Sequence, residues 1–147
     1  MSVHPLVEAA PFAAHLGHIG SVSRLPWQVL ALAANVPLAW GDALINGVSG
    51  RPLKLVPAEI ARRVLSLDED IRARLAKQRV PADETAARLL YLLRSGWHPP
   101  ALARRVGLSL LELSATLRGA PQVARLTELT VAALESSHRA RAARAAA

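Results

Sequence analysis

The sequence predicts an all-α protein made of two similar helical units in tandem. Hydrophobic residues make up 52 % of the 147-residue chain, but only 3 % of its residues are aromatic, and Ala and Leu dominate. This composition favours helices, because strands are enriched in the aromatic and β-branched residues that are scarce here. The chain has no cysteine, which excludes disulfide scaffolds, thiolate zinc sites and cysteine nucleophiles.

An internal repeat is the second observation that supports this fold class. When the chain is compared with itself at a shift of 72 residues, Leu30-Ala31 falls on Leu102-Ala103 and Gly47 falls on Gly119. Farther on, Glu59-Ile60 matches Glu128-Leu129 at a shift of 69, which implies a loop after Gly47 three residues longer in the first copy. Self-similarity of this kind is typical of duplicated structural units.

The repeat predicts the domain organisation of the chain. The segment between the copies is charged, and the spacing of Ile71 and Leu75 is compatible with a helix. The Ala/Arg-rich tail either extends the last helix or stays loose. The predicted segments are a first unit at 1–67, a linker at 68–80, a second unit at 81–137 and a tail at 138–147.

The second copy shows the order of its helices most clearly. Leucines on a broad apolar face predict a helix over Ala86–Leu93, which Ser95-Gly96 ends as a C-cap. Pro99-Pro100 can begin the next helix, where a missing N–H costs nothing, and this helix ends at Gly107. Pro121 begins a further helix with leucines spaced for burial.

A tight corner joins two of these helices. Ser109 and Glu112 form the sequence pattern of a capping box, so a new helix begins directly after Gly107. The first residue of such a turn needs a left-handed backbone, which Gly adopts freely and Asn tolerates, and Asn35 occupies this place in the first copy. Small Ala31 and Ala103 lie where the two helices cross. The pattern predicts two helix-turn-helix units in tandem, with generic α-hairpins of a helical bundle as the alternative.

The chain resembles the tandem helix-turn-helix proteins, transcriptional regulators, of actinobacteria and their phages. The first copy carries the resemblance in PFAAHLGHIG…LPWQVLALAANVPLAWGDALINGVSGRP, and the second in AARLLYLLRSGWHPPALARRVGLSLLELSATLRG. The segment LLRSGWHPPALARRVGLS is the most similar part, and the resemblance covers about Val7–Ser137. It implies DNA binding through the second helix of each pair.

The chain departs from this family in the helices that would read the bases. The ten groove-facing positions contain no basic residue, although base edges are read through hydrogen bonds. These positions are Leu38, Ala39, Trp40, Asp42, Ala43, Leu110, Leu111, Glu112, Ser114 and Ala115. Gly41 also replaces a core aliphatic residue of the family, so the first recognition helix is expected to be weak or bent.

Basic residues outside those positions supply the candidate phosphate contacts. The net charge is +7, its excess begins at Arg51, and 16 of the 18 basic residues are Arg, which pairs with phosphate oxygens two at a time. The phosphate-binding candidates are Arg51, Lys54, Arg94, Arg104, Arg105 and Arg118. The candidates for specific readout are Gln28, Trp40, Asn46, Ser109 and Ser114.

These observations predict a DNA-binding protein, a transcriptional regulator or a phage-type accessory factor, whose partner is double-stranded DNA. The alternative is an adaptor or assembly subunit that contacts protein, another copy of the chain included, through an apolar surface. This surface would consist of Leu38, Trp40, Leu110 and Leu111. A third reading is charge-driven RNA or nucleoid coating without sequence preference.

Other site classes are not expected. His15 and His18 have a spacing that can hold a metal, but no third ligand lies nearby in the sequence. The loop Gly47–Gly50 lacks the Lys-Ser/Thr of a phosphate loop, so neither an enzymatic role nor a cofactor is expected. The uncharged run Leu25–Gly41 is too short and too interrupted for a membrane span, and a cytoplasmic location is expected.

Overall fold

The computed structural model describes residues 5–147. Residues 1–4, the start of the first predicted unit, lie outside the described residues. The chain divides into two compact units, Met1–Arg72 and Ala73–Ala147, called the N-terminal and the C-terminal unit below.

The two units contain the same elements in the same order. Each has a short strand, three helices, a second short strand and a fourth helix. The N-terminal unit contains β1 (Leu6–Glu8), α1 (Ala10–Ser23), α2 (Trp27–Ala33), α3 (Leu38–Asn46), β2 (Leu55–Pro57) and α4 (Ala58–Leu65). After α5 (Ile71–Lys77), the C-terminal unit contains β3 (Arg79–Pro81), α6 (Asp83–Arg94), α7 (Pro99–Val106), α8 (Leu110–Leu117), β4 (Gln122–Ala124) and α9 (Arg125–Ala146).

The chain is mostly helical, as predicted, but strands make the all-α description incomplete. In the N-terminal unit β1 pairs antiparallel with β2, with Val7 opposite Val56. In the C-terminal unit β3 pairs with β4 in the same way, with Val80 opposite Val123. A strand of three residues is too short to show the alternation that predicts β structure, so only the tertiary pairing reveals it.

The strand pairs also correct the register of the repeat after α3. Val56 corresponds to Val123 by strand pairing, a shift of 67 residues rather than 69. The same shift places buried Val64 on buried Val131. The loop after α3 is therefore five residues longer in the N-terminal unit, and the match of Glu59 with Glu128 is wrong.

Each unit has its own apolar core. In the C-terminal unit it consists of leucines from α6, α7 and α8 together with residues of α9, namely Leu89, Leu92, Leu102, Ala103, Val106, Leu113, Val131 and Leu134. The N-terminal unit buries a matching set, which includes Leu16, Ile19, Val29, Leu30, Val56 and Val64. The alanines at the two predicted helix crossings, Ala31 and Ala103, are both buried.

The linker contains a helix, and the tail extends the last helix, which is one of the two predicted possibilities. The middle of segment 68–80 is the helix α5, which spans the boundary between the units, and both Ile71 and Leu75 are buried. Val80 belongs to β3, so the end of the predicted linker is part of the C-terminal unit. The tail continues α9 as a helix to Ala146. Among residues 5–147, no helix has the length and apolarity needed to cross a bilayer.

Candidate nucleic-acid interface

The corner between α2 and α3 is closed by its backbone. Asn35 has φ 58°, the left-handed conformation that the sequence predicts. The N–H of Asn35 donates to the carbonyl of Leu32 over 3.2 Å, and the N–H of Val36 donates to the carbonyl of Ala31 over 2.8 Å. This pair of bonds is the Schellman pattern, which satisfies the last carbonyls of α2 and fixes the direction in which α3 leaves. Arg63 adds a hydrogen bond to the Asn35 carbonyl over 2.8 Å.

The corner between α7 and α8 repeats this geometry. Gly107 has φ 76°, which costs glycine no steric strain. Its N–H donates to the Arg104 carbonyl over 3.3 Å, and the N–H of Leu108 donates to the Ala103 carbonyl over 2.8 Å. The two corners therefore have the same hydrogen-bond pattern although one uses Asn and the other Gly.

The helix that follows the second corner has the predicted capping box. The N–H of Glu112 donates to Oγ of Ser109 over 3.0 Å, and the N–H of Ser109 donates to Oε1 of Glu112 over 3.1 Å. The hydrogen bonds from the Ser109 backbone and side chain hold the pKa of Glu112 below its usual value, with a smaller contribution from the charge of Arg79. Both side chains are thus committed to the start of α8, which favours a structural role for Ser109 over base readout.

The helix α3 is continuous through Gly41, although glycine disfavours the middle of a helix. The reason is a complementary pair of residues: a Cβ at Gly41 would lie 2.9 Å from two ring atoms of Trp27. The Trp27 ring fills the space that a side chain on α3 would otherwise occupy. At the equivalent positions of the C-terminal unit, Pro99 begins α7 and Leu113 is buried on α8. At this helix crossing, the bulky side chain comes from the first helix of the pair (Trp27 of α2) in the N-terminal unit. In the C-terminal unit the bulky residue is Leu113 on the second helix, α8.

A small hairpin follows α3 in the N-terminal unit. Val48 and Arg51 exchange two backbone hydrogen bonds of 2.8 and 3.1 Å. Ser49 and Gly50 between them both have positive φ, 53° and 77°, as in a type I′ turn. A Cβ at Gly47 would overlap the Arg51 carbonyl oxygen, so the close approach requires glycine there. The hairpin holds Arg51 at a defined place. The loop after α8 in the C-terminal unit is shorter and contains no equivalent hairpin.

The predicted phosphate-binding residues are all exposed. Within residues 5–147 none of them takes part in an ion pair. These side chains are Arg51, Lys54, Arg94, Arg104, Arg105 and Arg118. Other arginines are neutralised locally, since Arg62 and Arg63 both contact Glu59, and Arg88 contacts Glu84 and Glu135. Unpaired cations can meet phosphate without first breaking an internal contact.

The division into units separates the charge of the chain. The unit Met1–Arg72 contains six basic and six acidic residues, so its formal charge is zero. The unit Ala73–Ala147 contains twelve basic and five acidic residues, so it carries the whole net charge of +7. In this unit Arg94, Arg104, Arg105 and Arg118 lie at the C-terminal ends of α6, α7 and α8.

The candidates for base readout are less available than the cations. Asn46 is exposed, but its Nδ2 donates to Oδ1 of Asp42 over 2.7 Å. Gln28, Trp40 and Ser114 are half-buried. With Ser109 in the capping box, the structure does not bring the five candidates together as one exposed polar surface.

The predicted apolar surface is only partly exposed. Leu111 is 81 % exposed and Leu110 is 53 % exposed, side by side at the start of α8. Leu38 and Trp40 on α3 are half-buried, so these two residues offer less exposed apolar surface than the sequence predicts.

His15 and His18 both contact the segment that follows α4, and they do not form a metal site with each other. The ring of His15 is 2.8 Å from the Leu67 carbonyl, and Nε2 of His18 is 3.0 Å from Oε1 of Glu69. In the part of the chain that the structure describes, no three His, Asp or Glu side chains gather into a group that could hold a metal ion.

Two residues near α8 were not singled out from the sequence. Arg79 at the start of β3 and Thr127 in the first turn of α9 line a cleft beside this helix. The only sequence signal for Arg79 was its place beside Val80, and the pairing of β3 with β4 is what brings it to α8. No family model, curated protein or solved structure matches the chain.

Proposed function

We propose that the chain is a DNA-binding protein with two helix-turn-helix units, of which the C-terminal unit makes the main contact with the phosphate backbone. The observation that carries this proposal is the concentration of the entire net charge in one unit, with unpaired arginines at the C-terminal ends of its helices α6, α7 and α8. The repeated corner at Asn35 and Gly107 supports helix-turn-helix units, because this motif needs a left-handed residue there.

The proposed binding is mostly independent of sequence. Exposed arginines at helix ends can pair with phosphates, which position a protein on the duplex but do not specify a sequence. The exposed side of α8 offers Leu111 and Glu112, which are poor readers of base edges near phosphates. A transcriptional regulator or phage-type accessory factor of this kind would make few base-specific contacts. The protein would act in the cellular compartment that contains its DNA.

A salt titration tests this proposal quantitatively. Each neutralised phosphate contributes about −0.9 to the slope of log K against log salt concentration, so four arginines predict a slope of about −3.6. If Arg51 and Lys54 of the N-terminal unit also bind, the slope is about −5.4. The measurement is fluorescence anisotropy of a labelled duplex over several salt concentrations, and no binding at low salt would refute the proposal.

Matched variants locate the contact. Arg104→Gln/Arg105→Gln is expected to reduce the magnitude of the slope by about 1.8. Arg62→Gln is the control, because Arg62 is equally exposed but already paired with Glu59 at 3.0 Å. If this single substitution lowers the binding free energy by half as much as the double substitution, total charge, and not the C-terminal corner, determines binding.

The rival function is a protein-interaction adaptor, and the exposure of Leu110 and Leu111 favours it. A helix rarely presents two neighbouring leucines to water without a contact to cover them. Sedimentation of the wild type and of Leu110→Ser/Leu111→Ser separates the two functions. A chain that binds DNA as a monomer in both forms argues against the adaptor.

A further inference from the structure

Strand β1 has an unpaired edge on the side that faces away from β2. The N–H of Ala9 donates to the Lys54 carbonyl over 2.9 Å, so residues 9 and 54 form a hydrogen-bonded pair that continues the β1–β2 ladder. Such pairs alternate with non-hydrogen-bonded pairs in an antiparallel ladder. The backbone groups of Val7 therefore point to β2, whereas those of Leu6 and Glu8 point away from it. Within residues 5–147 the N–H groups of Leu6 and Glu8 have no acceptor.

The other three described strands do not offer an edge of this kind. Where β1 has Glu8, β3 has Pro81, which has no N–H to donate. The outward position of β2 next to its helix is also a proline, Pro57. Strand β4 faces α8 across the cleft that both line. Proline and a covering helix both keep strand edges from pairing with other strands, and β1 has two outward N–H groups between exposed side chains instead.

The side chains of β1 also lack cover. Val7 lies on the core face of the strand but is only half-buried, whereas Val56 opposite it is fully buried. On the other face, Leu6 is 58 % exposed and Leu55 of the paired strand is 48 % exposed. Apolar surface is therefore accessible on both faces beside the unpaired edge. A further strand at this edge would cover part of it and satisfy the N–H groups.

The spacing of the unpaired groups favours a second copy of β1 as that strand. If two β1 strands lie antiparallel with their Val7 residues opposite each other, Leu6 of each copy lies opposite Glu8 of the other. Each Leu6–Glu8 pair can then exchange two hydrogen bonds, so that all four outward N–H groups have an acceptor. No like charges lie directly opposite each other, and the two valines form a favourable β-branched pair.

We propose that the protein forms a symmetric homodimer through β1, in which the β1–β2 pairs of two copies join into one four-stranded antiparallel sheet. The interface is isologous, because the same edge of each copy contributes the same groups. The charge distribution favours this contact, since the unit Met1–Arg72 has a formal charge of zero and a second such unit can approach it without net repulsion. The dimer does not depend on the proposed DNA binding.

Sedimentation equilibrium of the full chain tests the dimer, with Glu8→Pro as the decisive variant. This substitution removes one outward N–H from each copy, hence two of the four bonds, and it reproduces the residue that β3 has at this position. The dissociation constant of the dimer should rise at least about tenfold. Glu8→Gln is the matched control, because it removes the same charge but keeps the N–H, so the constant should not change. Leu110→Ser/Leu111→Ser on α8 should not change it either.

Amide hydrogen exchange of the wild type, resolved by NMR, gives a readout that needs no variant to fold. A higher protein concentration should slow exchange at Leu6 and Glu8 but not at Arg79, whose amide faces outward on β3. A wild type that remains monomeric at about 1 mM would overturn the proposal. The same holds for a dimer that Glu8→Pro leaves intact, and for exchange at Leu6 and Glu8 that does not respond to concentration.

Discussion

Trp27 and Gly41 of the N-terminal unit stand where the C-terminal unit has Pro99 and Leu113. This difference between equivalent positions predicts how substitutions at positions 27 and 41 change the free energy of unfolding. A Cβ at position 41 would lie 2.9 Å from the Trp27 ring, closer than real Cβ contacts come, and 3.2 Å from the Cβ of Ala31, which is tighter than most such contacts. Gly41→Leu adds three further carbons in the same direction. Overpacking of this kind costs about 1–3 kcal/mol, and the rigid ring and the short helix place the cost near the upper end.

The complementary variant should restore stability. Trp27 is the first residue of α2, its N–H makes no hydrogen bond within the described residues, and Pro26 before it is extended with ψ 151°. Proline is tolerated at this helix position. Trp27→Pro/Gly41→Leu reproduces the pair found in the C-terminal unit, and leucine also gains about 1 kcal/mol of helix propensity over glycine. We expect the double variant within about 1 kcal/mol of the wild type.

Urea unfolding followed by circular dichroism measures this cycle. Trp27→Pro alone should cost about 3 kcal/mol, because it leaves a cavity above Gly41. The coupling between the two substitutions should then exceed about 3 kcal/mol, which is large for two neighbours. Additive effects, or a Gly41→Leu variant as stable as the wild type, would refute the interpretation of a shared space.

Four further predictions concern single positions. Thr85 is fully buried, and its hydroxyl has no partner within residues 5–147; Thr85→Val should therefore raise the free energy of unfolding by about 1 kcal/mol, and Thr85→Ser should lower it. Asn35→Ala should destabilise the chain by about 1 kcal/mol in urea unfolding, whereas Asn35→Gly should be neutral, because φ is 58°. Ser109→Ala should cost about 1 kcal/mol by loss of the cap. Since hydrogen bonds from Ser109 lower the pKa of Glu112 in the folded state, its contribution to stability is complete above the ordinary pKa of a glutamate and is lost as pH falls through the lower, folded value. Thermal unfolding against pH should show this loss in the wild type and not in Glu112→Gln.

Local chemistry explains what could be predicted from the sequence. The corner at Gly107 and the capping box at Ser109 depend on residues within a few positions of each other, so their signals are contiguous. Asn35 was found because the repeat aligned it with Gly107. Both corners have the predicted left-handed backbone, and the cap has both of its hydrogen bonds.

The structural features that the sequence did not predict depend on contacts between residues that are distant in the chain. The pairing of Val7 with Val56, and of Val80 with Val123, joins strands of three residues that have no periodic signal of their own. The packing of Trp27 into the space beside Gly41 has no sequence signal either, because it depends on the contact between two different helices.

The sequence alone determined the helical composition, the duplication and the two tight corners, because propensity, repetition and turn chemistry are properties of short segments. The tertiary structure decided which arginines remain unpaired and which leucines face solvent, because these depend on neighbours that folding supplies. It also placed the unit boundary within α5, and that boundary assigns the whole net charge to one unit. Pairing of distant strands brought Arg79 beside α8, where no linear pattern could place it.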